Sequence, residues 1–188
     1  GLSNYVGDII PASITLDNAQ LSYGLFYRHQ VSDKIALRAG LTLGKLKADD
    51  DDYEERGTRG YNFETSYTQL LVLGEYHLNG KARYDEDGVF QKQTTYYVLA
   101  GIGATFFDPE TGGLPAAAPE RLDEYSTGAF TIPVGIGVRV PFSENLSIGV
   151  ELGALLTFTD YLDGISESAN PDQGDNMGHF EVNFGYAF

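Results

Sequence analysis

The last ten residues of the chain alternate without interruption. Phe180, Val182, Phe184, Tyr186 and Phe188 fall on one face of an extended strand, and His179, Glu181, Asn183, Gly185 and Ala187 on the other. A period of two with one oily and one wet face describes a strand at the boundary of two environments. An aromatic residue closing such a strand is also what bacterial assembly machinery reads on outer-membrane barrels. This segment sets two expectations, a sheet architecture and a membrane compartment.

The same alternation recurs along the chain. Leu21, Tyr23, Leu25 and Tyr27 oppose Ser22, Gly24, Phe26 and Arg28. After the short turn Ser32-Asp33-Lys34, Ile35, Leu37, Ala39, Leu41 and Leu43 oppose Ala36, Arg38, Gly40, Thr42 and Gly44, which makes a hairpin. Residues 61–78 read as a long strand with less cleanly sorted faces, followed by strands over 96–107, 130–140 and 146–158, the last two joined by Ser143-Glu144-Asn145. With an opening segment over Tyr5 to Ile10 and the closing one, the count is about eight, at which a barrel interior is just filled by side chains. The expected fold is a single all-β domain over residues 1–188, an eight-stranded antiparallel transmembrane β-barrel with a filled polar lumen.

Composition agrees. No run approaches the ~20 apolar residues of a spanning helix, but a barrel hides its hydrophobicity in alternate positions. The chain has no cysteine, which excludes disulfide scaffolds and thiolate metal sites, and its 23 glycines, 13 tyrosines and 11 phenylalanines favour sheet. No basic-then-apolar leader opens the sequence, consistent with a mature secreted protein or a cytosolic one.

Which face is inside decides the function class. A soluble barrel of the lipocalin kind keeps its apolar face inward, whereas a membrane barrel turns it to lipid. Here the apolar face is nearly continuous, and the other collects glycines, threonines and six ions that balance in sign: Arg28, Arg38 and Arg139 against Glu75, Glu151 and Glu181. An unpaired buried charge costs several kcal/mol, so these six are expected to form a salt-bridge network that plugs the lumen. On a soluble sheet some of them would face water instead. The absence of tryptophan also counts against a lipocalin.

Turn lengths give the orientation. Residues 32–34 and 143–145 are short connections, while 45–60, 108–127 and 161–177 are long; membrane barrels keep short turns in the periplasm, so both termini are expected there. The charged stretch Asn79 to Thr95 is too long for a simple turn and is expected to be a floppy solvated hairpin unless a partner holds it. Tyr27, Tyr67, Phe106, Phe130, Phe158 and Phe188 are candidates for interfacial girdles.

Little chemistry is encoded. His29 and His77 fall near the short-turn rim and His179 toward the other end, so they read as isolated histidines rather than a triad or metal cluster. Gly101-Ile102-Gly103 lacks the third glycine of a dinucleotide loop. Asp49 to Asp52 with Glu54 and Glu55 do not have EF-hand spacing, and a solvated acidic loop accounts for them. No catalytic residue and no cofactor are expected. A net charge of -15 excludes nucleic acid as a partner and favours divalent cations bridging Asp49 to Asp52, or Asp160 and Asp163, to lipopolysaccharide phosphates.

Several segments together resemble a family. They are Asn4-Tyr5-Val6-Gly7-Asp8, Tyr27-Arg28, Arg59-Gly60-Tyr61-Asn62-Phe63, Gly101-Ile102-Gly103, Ile132-Pro133-Val134-Gly135-Ile136-Gly137 and Thr159-Asp160-Tyr161-Leu162-Asp163. In order and spacing, nearly end to end, the chain resembles the PorG-like outer-membrane barrels of Bacteroidetes. The resemblance implies a non-enzymatic accessory barrel of the type IX secretion apparatus, in contact with outer-membrane lipids and lipopolysaccharide and associated with a periplasmic ring built from a lipoprotein and its partner. It does not say which residues touch the ring. The alternative is a free-standing small barrel with a structural or adhesive role.

Overall fold

The computed structural model of the chain describes residues 1–6, 20–49, 62–112, 128–157 and 176–188. These form eight strands: β1 (Leu2–Val6), β2 (Gln20–Ser32), β3 (Ile35–Asp49), β4 (Asn62–His77), β5 (Thr95–Gly112), β6 (Gly128–Pro141), β7 (Leu146–Thr157) and β8 (Asn176–Tyr186). Each pairs antiparallel with the next, and β1 also pairs with β8, closing a barrel. The all-β antiparallel expectation is borne out.

Strand ends differ from the sequence reading. β3 continues to Asp49, paired with Asn62, and β5 to Gly112, where polar composition suggested loops. A ladder needs only backbone N–H and C=O groups, so pairing persists after the outward side chains turn polar at Lys45, Ser66 and Asp108, all exposed. Loss of hydrophobicity therefore marks the edge of the apolar belt and not the end of the strand.

The two faces sort by parity. On β4, Thr65, Tyr67, Gln69, Leu73, Glu75 and His77 are buried inside, while Leu70, Val72 and Tyr76 are exposed outside. The outward apolar belt runs from Ile35 to Leu43 on β3, Tyr96 to Phe106 on β5 and Leu146 to Leu156 on β7. With a rise of about 3.4 Å per residue and a strand tilt of about 40°, its height is roughly 20–26 Å.

The interior is layered and not uniformly polar. Buried ions occupy the short-turn half, but Leu46, Leu73, Leu99, Leu155, Phe107 and Met177 are also buried inside. Volume explains the difference, because so narrow a barrel must be filled whatever the polarity of the filler. Interior glycines receive large neighbours from the adjacent strand: the Tyr97 ring lies over Gly137, the Tyr67 ring over Gly44, and His179 Cε1 would stand 2.5 Å from a Cβ on Gly153. Tyr67 is thus corrected from a girdle residue to an inward-facing one, 4% exposed, because it shares parity with Gln69 and Glu75. Among the other girdle candidates, Tyr27, Phe106, Phe130 and Phe188 are exposed on the outer face, and Phe158 lies outside the described residues.

Gly137→Val would drive a side chain into the Tyr97 ring. Overpacking of this kind is expected to destabilise the barrel by about 1–3 kcal/mol, read as an earlier urea midpoint in lipid vesicles; an unchanged midpoint would show that the interior has room to spare.

Candidate functional site

The short-turn half of the barrel holds a cluster of ions. Arg28 and Arg38 enter from β2 and β3, Glu75 and His77 from the end of β4, Tyr97 from the start of β5, Arg139 from β6, Glu151 from β7 and Asn183 from β8. The side chains of Glu75 and Glu151 are 0% and 1% exposed.

Two carboxylates organise the group. Glu151 receives a two-pronged pair from Arg38, Nη1 to Oε1 at 2.6 Å and Nη2 to Oε2 at 2.7 Å. Its Oε1 also accepts from the Tyr97 hydroxyl at 2.7 Å and from Asn183 Nδ2 at 3.0 Å. Glu75 gathers three guanidinium groups: Arg28 Nε at 2.9 Å, Arg38 Nη1 at 3.6 Å and Arg139 Nη1 at 3.7 Å. Arg38 therefore bridges both acids. Aromatic faces complete the surround, with Arg28 and Arg38 at 5.2 and 4.7 Å from the Phe26 ring centroid and Arg139 at 5.5 Å from that of Tyr97. Charge-assisted and partly bidentate, these bonds lock seven strands, β2 to β8, together across the lumen.

Glu181 stands apart. It lies directly opposite Glu151 in the β7–β8 register, and among the described residues it makes no ion pair within 4 Å. Five of the six sequence-derived ions therefore share one network, and the sixth lines the adjoining interior space.

His77 is corrected from an isolated rim residue to a member of the cluster. It is 3% exposed, its Nε2 lies 3.3 Å from Glu75 Oε2 and 3.3 Å from Arg139 Nη2, and its ring meets Tyr97 edge-on at 6.0 Å. Tyr97 and Asn183 were also missed; the signal was parity, since His77 lies two residues from Glu75 and Asn183 two from Glu181 on the same face. His29 is exposed on the outer face, and His179 points inward over Gly153.

The excursion between β4 and β5 is built rather than floppy. Asn79 ties its two ends, donating from Nδ2 to Thr94 O (2.7 Å) and accepting at Oδ1 from Tyr96 N (2.9 Å). At the tip, Asp85 Oδ1 accepts from the amides of Asp87 and Val89, and Gly88 takes a positive φ of 76°. Tyr84 and Phe90 meet edge-on at 6.0 Å with Arg83 over both rings.

Of the family-motif residues, Asn4 and Tyr5 lie in β1, while Gly7, Asp8, Asp160, Tyr161 and Asp163 lie outside the described residues, as do Asp50 to Asp52, Glu54 and Glu55.

A closed antiparallel barrel, apolar outside and cross-braced by ions within, defines the class of this protein. More particularly, the chain belongs to the family described as "Domain of unknown function (DUF6089)", which it matches over residues 1–188. No curated protein matches it. Among solved structures it is similar to two crystal structures of Ail, the attachment invasion locus protein of Yersinia pestis, one of them in complex with the heparin analogue sucrose octasulfate. Identity is 13% in both, with 100% of this chain and 92% of that chain covered, at TM-scores of 0.49 for the complex and 0.47 for the other.

Proposed function

We propose that this chain is an eight-stranded outer-membrane β-barrel with a plugged lumen, its termini and short turns toward the periplasm, and that it serves as a non-enzymatic subunit of a type IX secretion complex, anchoring or positioning a periplasmic ring. The observation that carries the membrane reading is the outward belt. Its height of roughly 20–26 Å approaches the apolar band of about 25 Å in outer-membrane barrels, and Leu41, Leu70, Val72, Ile102, Ile136 and Leu152 are all exposed on it. In water such a continuous patch would drive aggregation.

Charge distribution supports the orientation. At the short-turn end Lys34, Lys81, Arg83 and Lys92 face Asp33, Asp85, Glu86, Asp87 and Glu144, four cations against five anions; the six interior ions cancel, so -14 of the net -15 falls elsewhere in the sequence, chiefly in the long connections. An acidic outer side suits divalent cations shared with lipopolysaccharide phosphates. The near-neutral inner side, with its built 79–94 excursion, suits a protein contact.

The resemblance to PorG-like barrels supplies the secretion role. Extraction of native outer membranes in mild detergent, followed by affinity purification on this chain, is expected to recover a periplasmic lipoprotein and its ring partner. Recovery of a lone heat-modifiable barrel would instead favour a free-standing structural or adhesive role, and recovery from the soluble fraction would overturn the membrane reading.

A further inference from the structure

The connection between β4 and β5 spends far more chain than its task needs. At the same rim β2 passes to β3 through two residues and β6 to β7 through four, whereas β4 reaches β5 through seventeen, residues 78–94. The excess is ordered. Beyond the Asn79 tie the segment forms a short ribbon: Gln91 N donates to Arg83 O at 2.8 Å and Asp85 N to Val89 O at 3.1 Å, with Tyr84 bridged to Phe90 between them. Its root is seated on the barrel, because Gly80 passes so close to the β2–β3 turn that a Cβ there would collide with the Asp33 carbonyl.

Charge is sorted along this ribbon by distance from the barrel. Lys81, Arg83 and Lys92 lie on the stem, Glu86 and Asp87 at the tip, and all are exposed. Among the described residues no acid pairs with the three cations. The carboxylate nearest Arg83 in sequence is committed elsewhere: Asp85 Oδ1 accepts from the amides of Asp87 and Val89, and Oδ2 from Gln91 Nε2 at 2.8 Å. The Arg83 guanidinium lies instead over the Tyr84 and Phe90 rings, 5.9 and 5.7 Å from their centroids, which leaves its N–H donors for an external acceptor. The stem springs directly from the apolar belt, where Leu78 N donates to Tyr96 O and both side chains are exposed.

We propose that the stem of this excursion is a phospholipid-headgroup site, in which Lys81, Arg83 and Lys92 bind lipid phosphates at the periplasmic face of the membrane and Tyr84 and Phe90 rest among the headgroups. Continuity with the belt selects lipid as the occupant. Long basic side chains rooted at an apolar surface reach up to the headgroup layer, and aromatic rings settle at the same depth. A guanidinium takes a phosphate through two parallel N–H bonds, and the ring platform holds the Arg83 fork ready for it. The same phosphates repel Glu86 and Asp87, so the sorting of charge decides which end of the ribbon meets lipid and which stands off it. The inference deepens the membrane reading and rests on it; a protein that docks on the excursion would meet the tip, held at a fixed height above the bilayer.

The chain has no tryptophan, so F90W places a single fluorescent reporter on the stem and V72W one in the belt. Each full-length barrel is folded into vesicles of phosphatidylethanolamine and phosphatidylglycerol that carry a spin label either on the headgroup or midway along the acyl chain. V72W emission is expected to be quenched by the mid-chain label, and F90W emission by the headgroup label, with protection from acrylamide in the water. Replacing the three cations together, K81Q/R83Q/K92Q, should remove most of the headgroup quenching of F90W. Raising the salt from about 0.1 to 1 M, which shortens the screening length from about 10 to 3 Å, should weaken it as well. The heat-modifiable gel shift checks that each variant is folded, and Y84W repeats the measurement if F90W is not. A quenched V72W with F90W open to acrylamide would overturn the proposal and leave the membrane reading standing, whereas an unquenched V72W would overturn both. Headgroup quenching that survives K81Q/R83Q/K92Q would also overturn it, since the cations would then hold no phosphate.

Discussion

Replacing Glu75 with alanine is expected to destabilise the folded barrel by about 3–5 kcal/mol, because it removes one partner of a buried network and leaves the others charged. The loss is large for a geometric reason: Arg28 and Arg139 have Glu75 as their only ion-pair partner among the described residues, and Arg38 touches it as well. His77 also loses a neighbour at 3.3 Å. The contrast is Glu181→Ala. With no ion pair among the described residues and a like charge directly opposite at Glu151, it is expected to change stability by less than about 1 kcal/mol. Urea unfolding in lipid vesicles, followed by the gel shift of the heat-modifiable form, measures both. Equal effects at the two glutamates would mean that the cluster braces nothing.

Val72→Arg addresses the outer face. Val72 sits midway along β4 between Ala39 and Ile102 on the neighbouring strands, 56% exposed and pointing away from the ions. At the centre of a bilayer an arginine there is expected to cost about 2–4 kcal/mol, falling to at most about 1 kcal/mol for the same substitution at Leu146, near the belt's edge. On a soluble barrel both changes would be close to neutral, since arginine at an exposed strand position is solvated. Folding measured in vesicles against detergent of matched chain length distinguishes the two, and a flat profile with depth would sink the membrane reading.

Parity made much of this architecture legible. A period of two assigns every residue of a strand to a face, so Arg28, Arg38, Arg139, Glu75 and Glu151 could be assigned to the interior before any partner was known. The same rule would have put His77 and Tyr67 inside, but residue type pulled the other way: a histidine near a turn suggested a rim, and a tyrosine suggested a girdle. The excursion over 79–94 was misjudged for a related reason. Its charges suggested a solvated hairpin, whereas its order comes from side-chain bonds of Asn79 and Asp85 to nearby backbone, which composition does not display.

The sequence by itself determined which side chains share a face, and hence that the barrel carries its ions on one face and a nearly continuous apolar belt on the other, because alternation is a local property of an extended backbone. Only the tertiary structure decided who meets whom. Arg38 and Glu151 are 113 residues apart, and whether they touch depends on the stagger accumulated around the closed sheet. That same stagger set Glu181 opposite Glu151 instead of opposite an arginine. Register is a sum over eight strands and their connections, and no single segment of the chain contains it.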